Sequence, residues 1–491
     1  MAKIKVLFVA AELTPMAKVG GLADVIGALP KSLIKQGIDV RIIIPRYGIV
    51  EKEKYGLKKL STLEIFFNNQ KEKVSLYQAF LPDSRVIVYF LENYKYLSEG
   101  GVYFEKDASS GGTSRECQRF SFFTKSSIEV FSHLNWWPDI IHHHDWHVGL
   151  LPVFLKIKAK ENEKYKKIRS VLNIHNLAYQ GKYNHADTLK MLDLNENDFS
   201  SLKIKFGKNQ DINFLQQSII NTDFIITVSP NYAQEILTKE YGDGLENDLQ
   251  KRKDFILGIL NGIDIDRFNP KTDKFIYKNY SISNLKIKNE NKLYLQKTVG
   301  LEQNLENPLF GFVGRLSEQK GIDLVEKITD YLIKKGGQLV ILGAGLDPFE
   351  RIALSMAEKY PKNVFVKIAF DAKLAQQIYA GSDFFLMPSR FEPCGLGQMI
   401  SMRYGTIPIV RATGGLKDSV IEFNTETKKG TGFLFNNYEP ADFLETINRA
   451  LEIFKNDVWW LKIIKNAMLQ DSSWEKSSKK YIELYKKVLN F

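Results

Sequence analysis

Short apolar runs of strand length recur along this chain, separated by stretches in which apolar residues return every three to four positions. The first run, Ile4-Lys5-Val6-Leu7-Phe8-Val9-Ala10-Ala11, reads as a buried strand, and residues 39–45, 86–91, 138–142, 171–174 and 223–228 continue the series. Helical patterns such as residues 119–131 lie between them, and strands alternating with helices imply a doubly wound α/β domain. A second series is expected from near Phe255 through residues 310–313, 338–342, 364–366, 383–387 and 407–410, predicting a second α/β domain.

The pattern breaks over residues 243–260, where Gly242-Asp-Gly244 and the charged stretch 246–254 interrupt it. The predicted division is a first domain over residues 1–250, a second over 251–470 and a closing helix over 471–491. Residues 271–292 are rich in Lys, Asn and Asp, yet Tyr277, Tyr280, Leu285, Leu293, Tyr294 and Leu295 predict packing there rather than disorder. In the last segment, Tyr481, Leu484, Tyr485, Val488 and Leu489 follow Ser472-Ser-Trp-Glu475 at helical spacing.

A length of 491 residues exceeds one hydrophobic core, in keeping with two domains. The composition, 44% hydrophobic and 12% aromatic, is that of a globular protein. No apolar run approaches the roughly 18 residues of a membrane span. Lys3 and Lys5 charge the N-terminus and no small-residue cleavage site precedes Glu12, so a cytoplasmic protein is expected. The net charge of +11 arises from 68 basic against 57 acidic residues scattered along the chain, which favours phosphate-bearing substrates over nucleic acid. Cys117 and Cys394 are the only cysteines, too few for a disulfide framework or a cysteine-rich zinc site.

Candidate chemistry gathers at the carboxyl ends of the predicted strands. Lys18-Val-Gly20-Gly21-Leu-Ala-Asp24 joins the first strand to a helix, a geometry in which backbone NH groups, a helix dipole and a lysine converge on an anion. Its spacing matches neither Gly-x-Gly-x-x-Gly nor Gly-x-x-x-x-Gly-Lys-Ser/Thr, and a Gly-Gly turn can also serve only close packing. Gly414-Gly-Leu-Lys-Asp418 echoes it, suggesting a glycine-lined helix start in each domain, and two such sheet edges facing each other make a cleft. His142-His143-His144-Asp145-Trp146-His147 suggests a metal, but alternate side chains of a strand face opposite sides; the other reading has Asp145, Trp146 and His147 lining a polar pocket. His175 and Asn176 offer groups suited to sugar hydroxyls. Arg315 and Lys320 place two cations after a strand, able to neutralise a diphosphate, and Glu392 with Cys394, Gly395, Leu396 and Gly397 adds an acid and free NH groups.

These motifs, with His144-Asp-Trp-His-Val-Gly-Leu150, His175-Asn-Leu-Ala-Tyr-Gln-Gly181, Asn261-Gly-Ile-Asp264, Phe312-Val-Gly-Arg-Leu-Ser-Glu-Gln-Lys-Gly321 and Ser389-Arg-Phe-Glu-Pro-Cys-Gly-Leu396, resemble the bacterial glycogen synthase and plant starch synthase family in the family's order. The resemblance implies a glycosyltransferase of the GT-B type: two Rossmann-like domains facing across a cleft, with the last helix crossing back to the N-terminal domain. It implies an acceptor glucan on the N-terminal side and a donor on the C-terminal side. The reaction it implies is retaining transfer of glucose from ADP-glucose, or UDP-glucose, to the nonreducing end of glycogen or another α-1,4-glucan, with no metal or other cofactor. Lys18, Arg315 and Lys320 would meet phosphate, aided by NH groups near Gly21, Gly395 and Leu396. His175 would hold the glucose near its 6-hydroxyl and Glu392 its ring hydroxyls. Asp145 and Asn176 would shape the pocket, with Gly20, Asp24, Trp146, Asn261 and Cys394 around the substrates and Phe370 stacking on the base. Gly397 stands where many relatives carry a hydroxyl residue. Ile400, in place of a second Glu eight residues after Glu392, fits the synthase branch. Other readings on the same fold are a transferase for another nucleotide-hexose, a glucan phosphorylase or a sugar-nucleotide epimerase.

Overall fold

The computed structural model describes residues 3–104, 114–194 and 211–490. The chain forms two compact units, one of Met1–Val228, Ala233–Gly262 and Trp474–Phe491, the other of Ser229–Tyr232 and Ile263–Ser473.

The first unit is built on a nine-stranded sheet. Its strands are β1 (Lys5–Val9), β2 (Asp39–Pro45), β3 (Lys58–Phe67), β4 (Gln70–Phe80), β5 (Ile87–Glu92), β6 (Ile140–His144), β7 (Arg169–Ile174), β10 (Phe224–Thr227) and β11 (Ile256–Gly258), with β8 (Lys182–Asn184) and β9 (Asp211–Asn213) forming a separate hairpin. The order β11-β10-β7-β6-β1-β2-β5-β4-β3 is parallel from β11 to β5, and β4 and β3 extend it as an antiparallel hairpin. Every residue of β6 is buried, as a strand covered on both faces requires.

The second unit holds an all-parallel six-stranded sheet of order β14-β13-β12-β15-β16-β17. These strands are β12 (Leu309–Val313), β13 (Gln338–Gly343), β14 (Val364–Ile368), β15 (Phe384–Met387), β16 (Ile407–Arg411) and β17 (Phe433–Phe435). Both sheets are Rossmann-like, and both reverse strand order at their centre, between β1 and β6 in one and between β12 and β15 in the other. A crevice opens beyond the carboxyl ends of the strands at such a reversal. In this chain those ends lead into Glu12–Gly21 and Asp145 in the first unit, and into Arg315 and Pro388–Gly397 in the second.

The expected start of the second series at Phe255 is corrected. Ile256, Leu257 and Gly258 pair in parallel with Ile225, Ile226 and Thr227, so this run closes the first sheet and the chain leaves the first unit after Gly262 rather than after residue 250. At the other end the chain returns at Trp474. The helix Trp474–Leu489 buries Trp474, Ser477, Ser478, Tyr481, Leu484, Tyr485 and Val488, one stripe at helical period. Its Ser478 hydroxyl lies 2.8 Å from that of Ser32 on the helix Gly21–Lys35, and Tyr485 reaches His142 in β6.

Residues 271–292 are packed. The rings of Tyr277 and Tyr294 stack at 4.4 Å, and Tyr280 donates to the Tyr404 carbonyl at 2.6 Å. Lys288 donates to the Ala380 carbonyl and the Thr406 hydroxyl at 2.8 and 2.7 Å, and burial pushes its ammonium down to about 7.

Candidate active site

Two clusters occupy the two sheet reversals, one in each unit. In the first, Lys18 does not project alone: its ammonium pairs with both carboxylate oxygens of Asp24 at 2.7 and 2.8 Å, and Thr14 donates to the same carboxylate. The helix Gly21–Lys35 starts at the second glycine, where an added Cβ would meet nothing within 4 Å. Gly21 is therefore not required for packing. The NH groups of Val19 and Gly20 both donate to Oε2 of Glu12, at 2.9 and 2.6 Å, so an internal carboxylate already fills the first part of the expected anion cradle.

Beyond β6, Asp145 adopts φ 57° and ψ −171°, a conformation that side chains seldom take. This turns its carboxylate under the next loop, where it accepts from the His175 NH at 2.7 Å. Burial raises its carboxyl to about 7 against the opposing pull of the His175 and Asn176 amides. The histidine run is not a metal cluster: among the described residues no group of three or more His, Cys, Asp or Glu side chains is placed to hold an ion. The four imidazoles instead find separate neutral partners. His142 meets the Tyr485 hydroxyl at 2.8 Å, His143 lies 3.4 and 3.5 Å from the Thr222 and Ser218 hydroxyls, His144 meets His175 at 3.0 Å, and His147 meets the Tyr103 hydroxyl at 2.7 Å.

His175 turns Nε2 inward, where Asn173 donates to it at 2.7 Å. Burial lowers the imidazole to about 3, so it stands neutral at pH 7. Asn176 spends its Oδ1 on the Ala178 NH, and Asn261 carries a buried Oδ1 with no partner. Trp146 stacks on His147 with ring centres 4.2 Å apart, and it forbids a side chain at Gly181, whose added Cβ would meet the indole at 2.3 Å. Trp146 and Gly181, with Tyr179, Gln180, Lys182 and Asp243, line an open cavity of about 350 Å³.

In the second unit, Gly321 has φ 72° and a Cβ there would strike the Pro388 carbonyl at 2.1 Å; only glycine lets these two loops approach so closely. The approach places Lys320 Nζ 2.5 Å from Oε2 of Glu392, which also accepts from the Ser389 hydroxyl at 3.1 Å. Glu392 is buried, so Lys320 and Ser389 supply the compensation that its charge requires. Gln398 binds the loop from beneath, donating to the carbonyls of Cys394 and Gly395 and to Ser419.

The Gly414-Gly415 pair opens the helix Gly414–Ser419, the glycine-lined helix start expected of the second unit, and both glycines are also required by close packing. A Cβ on Gly414, at φ 44°, would lie 2.0 Å from the Glu392 carbonyl, and one on Gly415 would lie 2.3 Å from that of Cys394. The Gly415 NH itself donates to the Glu392 carbonyl at 3.0 Å. Gly414→Ala is accordingly expected to lower stability by at least about 2 kcal/mol and to depress activity by shifting Glu392, with chemical denaturation and initial rates as the measurements. Gly397 has a packing role too, since its Cβ would meet the Phe385 ring at 2.9 Å.

Known proteins place this arrangement. The description "Starch synthase catalytic domain" matches residues 5–251, and "Glycosyl transferases group 1" matches residues 297–458. The chain is 44% identical to a glycogen synthase of Thermotoga petrophila and 40% identical to one of Clostridium botulinum, each match covering 99% of both chains. The chain belongs to the glycogen and starch synthase family. It is a glycosyltransferase with the GT-B fold. The solved catalytic domain of starch synthase IV from Arabidopsis thaliana, bound to ADP and acarbose, superposes with a TM-score of 0.90 at 33% identity, covering 100% of both chains. A sucrose-phosphate synthase from Thermosynechococcus elongatus shares the fold, with a TM-score of 0.60 at 14% identity.

Within this glycosyltransferase the structure joins Lys18 to Asp24, Asp145 to His175, and Lys320 to Glu392. Phe370 is 87% exposed on the loop after β14, which lies two strands from β12. Glu12, Tyr103 and Asn173 escaped sequence reasoning. Each is a single polar residue in an apolar or loop context, and only their hydrogen bonds mark them. Among the described residues no helix is long and apolar enough to cross a membrane.

Proposed function

We propose that this glycosyltransferase moves glucose from ADP-glucose to the nonreducing end of an α-1,4-glucan with retention of configuration. The observation that carries the reading is the Lys320–Glu392 pair at the reversal point of the second sheet, 2.5 Å apart on loops that glycines hold together. It is supported by the ADP in the Arabidopsis relative.

In this reading Arg315 and Lys320 face the donor's diphosphate beside the Gly395 and Leu396 amides, with Lys18 the cation that the first unit offers. Lys320 and Ser389 both bond Oε2 of Glu392, and Oε1 accepts the ring hydroxyls of glucose. His175, bonded inward through Nε2, presents Nδ1 to the 6-hydroxyl, while Trp146 and Tyr179 give the glucan a flat apolar wall. Asp145 and Asn176 set the loop that carries His175.

The bond from C1 to the phosphate oxygen breaks as charge develops on the diphosphate, and fixed cations stabilise that transition state more than the ground state. The acceptor hydroxyl attacks C1 from the same face and passes its proton to the departing phosphate. ADP-glucose and UDP-glucose, each incubated with glycogen and the enzyme, test the assignment through chain elongation. Elongation from ADP-glucose is expected, and elongation from neither donor would overturn the reading. A trapped covalent glucosyl enzyme would overturn the same-face attack.

A further inference from the structure

The glycine turn after β1 carries its own anion. Glu12 is buried, 4% exposed, and one of its oxygens accepts the NH groups of Val19 and Gly20 at 2.9 and 2.6 Å. Its other oxygen accepts from the Tyr103 hydroxyl at 3.3 Å, and the Tyr103 oxygen lies 2.7 Å from Nε2 of His147. Burial keeps the His147 imidazole neutral, down to about 3, and its Nδ1 has no partner. A proton on Nε2 therefore donates to Tyr103 and leaves the phenol proton for Glu12.

The backbone leading into Tyr103 is held from outside the turn. Arg119, wholly buried, donates to the carbonyls of Tyr96, Gly101 and Val102 at 3.2, 2.7 and 3.0 Å, and also to that of Glu99. Its guanidinium lies 3.9 Å from the centre of the Phe104 ring. Arg119 thus fixes the backbone just before Tyr103, and the Tyr103 hydroxyl and Glu12 link onward to the two amides.

We propose that Glu12 is a positioning residue that occupies the amide cradle of the glycine turn, shaping the turn around Lys18 while keeping phosphate off the Val19 and Gly20 amides. Asp24 pairs with the Lys18 ammonium, while Glu12 accepts the next two backbone amides. Glu12 fixes the shape of the turn, and the Val19 and Gly20 amides add nothing to its grip on phosphate. An open cradle would add two backbone donors and remove one negative charge, and so would bind phosphate more tightly. This rests on the reading that the turn meets the donor's phosphates. The two can fail separately, because binding of a free anion is measured without turnover.

The test is titration of the full-length protein with inorganic phosphate and with ADP, by calorimetry, for wild type, Glu12→Ala and Glu12→Gln, alongside kcat and KM for elongation. Glu12→Ala is expected to bind phosphate at least tenfold more tightly while kcat falls at least tenfold. Glu12→Gln, whose amide oxygen can still accept both NH groups but which lacks the charge, is expected to bind phosphate more nearly as wild type does than as Glu12→Ala does, and to keep most of kcat. A merely structural role would weaken anion binding and turnover together. Unchanged or weaker phosphate binding in Glu12→Ala overturns the proposal, as does a Glu12→Gln variant that behaves like Glu12→Ala. If Glu12→Ala does not fold, Tyr103→Phe, which frees one side of the carboxylate, must shift phosphate affinity upward by a smaller factor; no shift overturns the proposal.

Discussion

Alanine at Lys320 is expected to lower kcat on the order of a thousandfold, the loss seen when a fixed donor to a developing charge is removed. Two effects combine at this position. The leaving diphosphate loses a cation, and Glu392, with a side chain 7% exposed, loses the partner 2.5 Å away that offsets its burial. An uncompensated buried carboxylate costs on the order of 2 kcal/mol or more, so the variant should also unfold at lower denaturant. Lys320→Ala combined with Glu392→Gln should recover much of that stability and none of the turnover. This separates the two effects in one pair of measurements. A fall in kcat of less than tenfold for Lys320→Ala would remove this lysine from the phosphates.

Acid should destabilise the first unit steeply between pH 6 and pH 4. His143, His147 and His175 are held near 3 by burial, and His142 and His144 are pushed down by burial and by neighbouring imidazoles. In the unfolded chain each takes a proton near 6.5. The folded state therefore binds fewer protons over this window, and its stability, fully present above 6.5, is lost as the pH falls toward 3. Asp145, raised to about 7, acts in the opposite sense and takes up one proton in the folded state as the pH falls from 7 toward 4. At pH 5 the three histidines held near 3 still leave a net uptake of about two protons on unfolding, a slope of about 3 kcal/mol per pH unit. Across the window this is comparable with the whole stability of an ordinary domain, on the order of 5–15 kcal/mol. Urea midpoints at pH 7, 6, 5 and 4 measure it, and a flat profile would show that the imidazoles titrate freely in the folded protein.

Much of the scaffold can be read from continuous apolar runs. Asp39–Pro45 matches its expected bounds, and most other strands of both sheets lie within a few residues of theirs. The hairpin of β3 and β4 escaped because its apolar residues alternate. Leu63, Ile65, Phe67, Val74 and Leu76 are buried while the residues between them are polar or exposed, the mark of a half-covered antiparallel sheet. Ile256–Gly258 was assigned to the wrong sheet for a related reason: a three-residue run carries no record of its pairing partner.

For the candidate site, the residue types at the strand ends are local information. A Lys-Val-Gly-Gly turn after the first strand, a histidine run at the end of another, and Arg315, Lys320 and Glu392 on strand-to-helix loops are all legible in the sequence. Each follows from a few adjacent residues and their backbone preferences. The fold alone sets β1 beside β6 and β12 beside β15, and it alone brings Glu12 within reach of Tyr103 and Lys320 against Glu392. It also sets one glycine pair beside an occupied anion cradle and packs its echo at Gly414, itself a helix start, where two loops meet. Hydrogen bonds between residues tens of positions apart, and the space left around a missing Cβ, depend on which chain segments pack together, and that information is spread over the whole fold rather than written beside either residue.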